Sequence, residues 1–191
     1  MSEQTLIQAA QRGDLNAFNE LVLSYQGQVY NVAYRIMGDG DSAADATQEA
    51  FISAYRGIAR YRGGSFRAWL MRIVTNACYD ELRRRKRRPT SSLDAIYVAE
   101  TAPEESLIDG GEDPEAYAQR KDLHRVLHAG LQVLPEEQRM ALVLSDVQGF
   151  DYREIAEITG VSLGTVKSRI SRARAKMRDY VTAHGEPFPG A

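Results

Sequence analysis

The sequence predicts an all-α protein built from two small helical domains joined by a flexible acidic linker. Three observations predict it. Apolar residues recur at steps of three and four through both halves of the chain, the spacing of helices that bury one face. No stretch alternates apolar and polar residues as a half-buried strand would. Between the halves, Pro89 to Ala118 contains eight acidic residues and no Lys or Arg. A chain of 191 residues suits one ordinary domain or two small ones. The composition places domains at residues 1–88 and 114–182, a linker at 89–113 and a tail at 183–191.

The elements follow in chain order. A short helix near Glu3 to Gln11 ends at Gly13. From Asp14 to Met37, the residues Leu15, Phe18, Leu21, Val22, Tyr25, Val29, Val32, Ala33 and Ile36 form one apolar stripe on a long helix. "GDGDS" breaks that pattern, and Asp41 or Ser42 can cap the next helix. This third helix, about Ala43 to Ile58, sets Ala46, Ala50, Phe51, Ala54 and Ile58 on one side and Asp45, Gln48, Glu49 and Arg56 on the other. "YRGGS" is a turn with Ser65 as the next cap, followed by a helix from Phe66 to Arg87 with Trp69, Leu70, Ile73, Val74, Ala77 and Leu82 inside. Pro89 stops it, because proline disfavours helix in the residue before it and donates no hydrogen bond. Helix returns after Pro114, with Leu123, Val126, Leu127, Leu131 and Leu134 at helical spacing. Another helix runs from Pro135 to Gly149, and two more complete the chain.

Composition excludes several classes. No window approaches the roughly 18 consecutive apolar residues of a membrane span, so no membrane insertion is expected. The opening "MSEQTLIQAAQRGD" lacks the basic and apolar regions of a signal peptide. The single Cys78 cannot form an internal disulfide and reads as a small buried hydrophobe. These features point to the cytoplasm. His124 and His128 are four apart on one helix but lack a third ligand, so no metal and no cofactor is expected. No Walker loop and no nucleophile–base pattern is present to carry chemistry, and the chain is not expected to be an enzyme.

The net charge of −2 hides strong segregation. "RRRKRR", Arg83 to Arg88, is a run of six cations, and Lys167 to Arg178 holds six more: Lys167, Arg169, Arg172, Arg174, Lys176 and Arg178. Two basic regions separated by an acidic tract suit two contacts with a polyanion. The second lies in "DYREIAEITGVSLGTVKSRISRARAKMRDY", which fits a helix-turn-helix. Asp151 caps a short helix with Ile155, Ala156 and Ile158 inside, Gly160 makes the turn, Val161 plugs beneath it and Ser162 caps the second helix. Val166, Ile170, Ala173 and Met177 face inward, while Lys167, Ser168 and Arg172 face away. Such a helix fits the major groove of DNA. A helical hairpin with a solvated basic face would carry the same pattern.

"LPEEQRMALVLSDVQGFDYREIAEITGVSLGTVKSRISRARAKMRDY" resembles the promoter-binding domain of bacterial RNA polymerase sigma factors of the sigma-70 family, and most of all the small extracytoplasmic-function group. Response regulators share a related helix-turn-helix, so the N-terminal half discriminates. There "GDLNAFNELVLSYQGQVYNVAYRIMGD", "DATQEAF" and "FRAWLMRIVTNACYD" resemble the group's region 2 in order and spacing.

The resemblance implies a factor that binds core RNA polymerase, directs it to promoters and helps open the duplex. Asp45, Gln48, Glu49 and Ile52 would then dock on the clamp helices of the beta-prime subunit, although the residues alone favour an ordinary solvated helix face. The loop Tyr61, Arg62, Gly63, Gly64 and Ser65, with Asn76, would hold a base extruded from the melted minus-ten element, with Tyr61 as its stacking face. Arg83, Arg84 and Arg85 would hold phosphates. Lys167, Ser168 and Arg172 would read base edges of the upstream minus-thirty-five element, while Arg169 and Arg174 would meet phosphates. A cognate anti-sigma factor is a further expected partner, and the acidic linker is expected to enter the polymerase near the RNA exit path or to act as a plain tether. The competing reading is a standalone regulator that uses the same helix-turn-helix without core polymerase.

Overall fold

In a computed structural model the chain is described over residues 1–87 and 114–184, and every regular element among them is helical. They form two compact units, one carrying α1 to α4 and the other α5, α6, α8 and α7 as far as Ala156. The linker, Arg88 and the end of the tail lie outside the described residues, so the expected stop at Pro89 and the expected linker path do as well.

In the first unit α1 spans Glu3–Gln11, α2 Leu15–Met37, α3 Gly40–Gly57 and α4 Phe66–Arg87, with a single 3₁₀ turn at Ile58–Arg60. Helix α2 is the central element, against which α1, α3 and α4 all pack. Its buried face is the expected stripe of Phe18, Leu21, Val29, Val32, Ala33 and Ile36, joined by Tyr34 and Met37. Leu15, in the first turn of α2, departs from it: at 55% exposed it lies outside the core. Side-chain caps set the boundaries. Asp14 Oδ1 accepts from the amides of Asn16 and Ala17, satisfying donors that the first turn leaves orphaned.

The cap of α3 corrects the expectation of Asp41 or Ser42. Asp39 is the N-cap, its Oδ1 accepting from the Ser42 amide at 2.8 Å, and the helix starts three residues earlier than expected. The buried face of α3 is almost wholly alanine, with Ala43, Ala46, Ala50 and Ala54 each under 5% exposed. Small side chains let its backbone lie close to α2, which turns Asp45, Gln48, Glu49 and Ile52 outward. In α4, Leu70, Met71, Val74, Thr75 and Cys78 are buried. Burial pushes the Cys78 thiol up to about 12, so it is inert and hydrophobic, as expected for a core cysteine.

In the second unit α5 spans Pro114–Gln132, α6 Glu136–Leu142, α7 Tyr152–Thr159 and α8 Leu163–His184. The helix expected from Pro135 to Gly149 is interrupted. After α6 the backbone widens into a π turn at Val143–Val147, with the Gln148 amide donating five residues back to the Val143 carbonyl at 3.0 Å. Both Val143 and Leu144 are fully buried there. Arg139 is buried as well. Its guanidinium donates to the Gln132 side chain at 2.5 Å and to the carbonyls of Gln132 and Leu134 at 3.0 and 3.1 Å. One cation thus satisfies the end of α5 and ties it to α6, and desolvation lowers its pKa. Leu134 is buried in the turn after α5, whereas Leu127 is 38% exposed, so the inner face of α5 is narrower than expected.

Gly130 of α5 sits where α8 crosses. A Cβ there would lie 2.9 Å from the Tyr180 ring and 3.1 Å from the Met177 methyl group. Gly130→Val is therefore expected to cost about 1–3 kcal/mol of unfolding free energy, through overpacking and a β-branched residue in a helix. The check is a denaturant titration that shows a lower midpoint with unchanged slope.

Candidate nucleic-acid interface

The second unit presents the helix-turn-helix expected from the sequence. Asp151 and Glu154 form a reciprocal capping box: Asp151 Oδ1 accepts from the Arg153 and Glu154 amides, and Glu154 Oε2 accepts from the Asp151 amide at 2.8 Å. Gly160 has φ +69°, the left-handed conformation that a side chain would strain, and it turns the chain from α7 into α8. Ser162 Oγ accepts from the Thr165 amide at 3.2 Å and caps α8.

Val166, Ile170 and Ala173 of α8 are buried to within 1% of fully, while Met177 is half-buried. That burial sets the direction of everything else on the helix. Lys167 and Arg172 are exposed, and Ser168 is half-buried with its hydroxyl donating to the Thr165 carbonyl at 2.9 Å. Arg169 is half-buried beside the inner stripe. The outer face therefore offers cations and a hydroxyl near the start of a helix, the arrangement a major groove accepts.

Arg174, expected to meet phosphate, also has a partner within the fold. It lies about 80° round the helix from Val166, on the flank rather than the outer face. There its Nε and Nη2 donate to the two carboxylate oxygens of Asp146 at 2.9 and 2.6 Å. The pair is bidentate and joins α8 to the π turn. The guanidinium holds the Asp146 carboxyl below the usual carboxylate range, and Asp146 in turn raises the pKa of Arg174. Arg174 thus anchors the helix while half of its side chain stays exposed.

In the first unit, the loop from Tyr61 to Ser65 leaves the 3₁₀ turn and enters α4. Arg62, Gly63, Gly64 and Ser65 are exposed. Gly63 and Gly64 have φ +96° and +92°, and a Cβ at either would meet only open space, so glycine is needed for the backbone and not for room. Ser65 Oγ accepts from the Ala68 amide at 3.1 Å, as expected of a cap. Tyr61 corrects the expectation of a free stacking face. It is 8% exposed, lies edge-on to Phe66 with ring centroids 5.6 Å apart and packs on Trp69 at 5.2 Å. Its hydroxyl donates to the Gly64 carbonyl at 2.7 Å. Tyr61 therefore forms the floor of the loop. Trp69 is half-buried in the same cluster, in keeping with a core part. Asn76 is exposed on α4, ten residues beyond Phe66 and so about 15 Å further along the helix axis.

The basic end of α4 is less open than its sequence reads. Arg85 lies 3.2 Å from the Asp39 carboxylate and 3.3 Å from Glu81, which ties the end of α4 to the cap of α3. Burial favours the neutral acid at Asp39, yet the hydrogen bonds from Ser42 and the Arg85 guanidinium outweigh it and lower its pKa. Arg84 pairs with Glu81 at 2.5 Å, and Arg83 stands 3.8 Å from Asp80. All three side chains remain well exposed, so these pairs screen the positive charge without removing it.

The outer face of α3 places Asp45, Gln48, Glu49 and Ile52 together in solvent. Gln48 and Ile52 also line an apolar groove of about 520 Å³ with Leu15, Phe18, Phe51 and Tyr55. Among the described residues no cluster of three or more His, Cys, Asp or Glu stands where it could hold a metal ion, and no helix is long and apolar enough to cross a membrane.

Three residues that shape these surfaces escaped the sequence reading. Arg139 and Asp146 sit in a helical pattern where nothing marks a polar residue for an internal bond. Gln11, at the end of α1, donates to the Ile58 and Tyr61 carbonyls beneath the loop. The Asp39 cap was visible in principle, since Asp39 and Ser42 have the three-residue spacing of a cap and its first donor.

Two family models match the chain: sigma-70 region 2 over residues 21–88 and sigma-70 region 4 over residues 124–177. The RNA polymerase sigma-H factor of Pseudomonas aeruginosa is 39% identical over 173 residues, covering 90% of each chain. The ECF RNA polymerase sigma-E factor of Escherichia coli K12 is 40% identical over 183 residues and 95% of each. Among solved structures, the sigma factor RpoE of Bartonella quintana, crystallised with the anti-sigma factor NepR, is 27% identical with a TM-score of 0.67. The match covers 88% of this chain and 98% of that one.

The Asp146–Arg174 pair is expected to show a coupling of about 0.5–1 kcal/mol in a double-mutant cycle of Asp146→Asn and Arg174→Gln, measured by denaturant unfolding at neutral pH. Asp146 has its folded pKa lowered, so its contribution is full above the ordinary carboxylate value of about 4 and fades as pH falls through the folded value. The coupling should shrink on acidification and not on raising the pH.

Proposed function

Since the chain belongs to the sigma-70 family of RNA polymerase sigma factors, and within it to the extracytoplasmic-function group, we propose that it binds core RNA polymerase, directs it to two-element promoters and promotes opening of the duplex. The observation that carries this reading is the pair of family domains, in the expected order, within relatives that are 39–40% identical along at least nine-tenths of both chains. The factor does no chemistry of its own. Residues 1–88 serve polymerase binding and the minus-ten element, 114–182 serve the upstream element, and 89–113 join them.

Docking on polymerase uses α3. Its alanine seam faces α2 and leaves Asp45, Gln48, Glu49 and Ile52 as a mixed acidic and apolar strip, suited to a basic coiled coil such as the clamp helices of the beta-prime subunit. The loop Tyr61–Ser65 takes an extruded base of the minus-ten strand. Arg62 and the exposed loop backbone meet the nucleotide, the buried Tyr61 supports them, and Asn76 contacts the strand further along α4. Arg83, Arg84 and Arg85 hold backbone phosphates. Holding a base outside the stack lowers the free energy of the melted state relative to the duplex, which is how binding becomes opening.

Reading of the upstream element uses Lys167, Ser168 and Arg172 against base edges, with Arg169 on phosphate and Arg174 holding the helix in place. A cognate anti-sigma factor is a further partner, as the Bartonella quintana complex has for its own sigma factor. The reactions occur where polymerase and DNA are, in the cytoplasm.

Mixed with core polymerase and a promoter library, the full chain should direct specific initiation. DNA binding with no polymerase complex would instead identify a standalone regulator. Arg172→Ala is expected to weaken binding to an upstream-element duplex by about 1–3 kcal/mol at fixed salt, with unchanged stability. Fluorescence anisotropy of labelled duplex checks this, and an unchanged affinity removes Arg172 from the reading face.

A further inference from the structure

The loop that meets the melted strand is held from an unexpected side. Gln11 is the last residue of α1, and its carboxamide reaches across to the 3₁₀ turn that launches the loop. Both hydrogens of its nitrogen are used: Nε2 donates to the Tyr61 carbonyl at 2.7 Å and to the Ile58 carbonyl at 3.3 Å. The other end of α1 reaches the same cluster, since Glu3 accepts from the Tyr25 hydroxyl and the Tyr25 ring lies edge-on to Phe66. Burial and the contact with Glu3 push the Tyr25 phenol up to about 12, so it stays a donor throughout the physiological range. Phe66 in turn packs on Tyr61 and Trp69.

The loop itself has little else to define it. Gly63 and Gly64 occur in succession with no neighbour near either Cβ position; the Tyr61 hydroxyl bonds the Gly64 carbonyl, and Ser65 joins the loop to α4 as its cap. Two consecutive glycines permit many backbone paths. The path taken is set at Tyr61, where the chain leaves the 3₁₀ turn, and Gln11 fixes the carbonyl of that residue. α1 also precedes the first residue matched by the region 2 family model.

We infer that Gln11 is a positioning residue for base selection: it sets the backbone of loop 61–65 and thereby the fit of an unpaired base of single-stranded DNA. The inference rests on the sigma-factor reading of that loop. Gln11 touches no nucleotide. A tether that only kept α1 in place would affect stability and polymerase binding but leave sequence preference alone.

The experiment uses the full chain in complex with core polymerase and a single-stranded octanucleotide pool randomised at every position. Wild type selects a preferred sequence, and the ratio of binding to that sequence over the unselected pool is then compared in Gln11→Met and Gln11→Glu. Both variants keep the length of the side chain and lose the donor. The ratio is expected to fall about tenfold, the effect of losing two neutral hydrogen bonds, while affinity for core polymerase and for the unselected pool stays the same. Exchange of the Tyr61 amide, which donates to the Ile58 carbonyl at 3.0 Å at the base of the loop, measured without DNA, should quicken by a similar factor. An unchanged ratio in both variants overturns the inference, as does a ratio that falls only in step with core affinity. If the wild-type complex selects no sequence although loop exchange quickens in the variants, it is the reading of the loop as a base pocket that fails.

Discussion

Val166, Ile170 and Ala173 are buried almost completely along one side of α8. A helix turns through about 100° per residue, so this burial leaves no choice about where Lys167, Ser168 and Arg172 lie. The same constraint operates in α3, where four alanines press against the central helix and Asp45, Gln48, Glu49 and Ile52 are carried to the opposite side. Each proposed contact surface follows from a packed one. Burying a Leu- or Ile-sized side chain contributes roughly 1.5–3 kcal/mol, far more than any exposed ion pair, so packing decides the orientation and charge follows it.

The distribution of cations shows what that order of effects produces. Arg139 is drawn inside to satisfy carbonyls at the end of α5. Arg174, on the flank of α8, closes on Asp146 in the π turn, and Arg85 closes on Asp39 at the cap of α3. These residues hold helices in register. Arg172 lies on the reverse of the packed face and Lys167 on its flank, both exposed to solvent. A count of basic residues merges cations that also have partners within the fold, as Arg139, Arg174 and Arg85 do, with cations that only face outward.

The loop of the first unit combines two requirements that conflict. As the base pocket we propose, it would have to be open enough for a nucleotide to enter, as the exposed Arg62, Gly63 and Gly64 are, and defined enough to prefer one base over another. The structure meets both by placing the order beneath the loop. Tyr61 faces inward on Phe66 and Trp69, its hydroxyl bonds the Gly64 carbonyl, and Gln11 takes the carbonyls at the loop's base. The glycines then need no neighbours of their own.

By itself the sequence determined the helices, nearly all of their ends and the two-part architecture, because these follow from local spacing and local caps. Asp14, Ser65, Asp151 and Ser162 act within a few residues of where they stand, and the inward face of α8 can be read from its period. Only the tertiary structure decided which polar residues are partners of one another. Tyr61 became a floor instead of an open ring, Arg174 an anchor instead of a free cation, and Gln11 a support for a loop 50 positions away along the chain. Such pairings depend on where separate helices meet in space, and nothing in the periodicity of a single helix encodes the position of its neighbour.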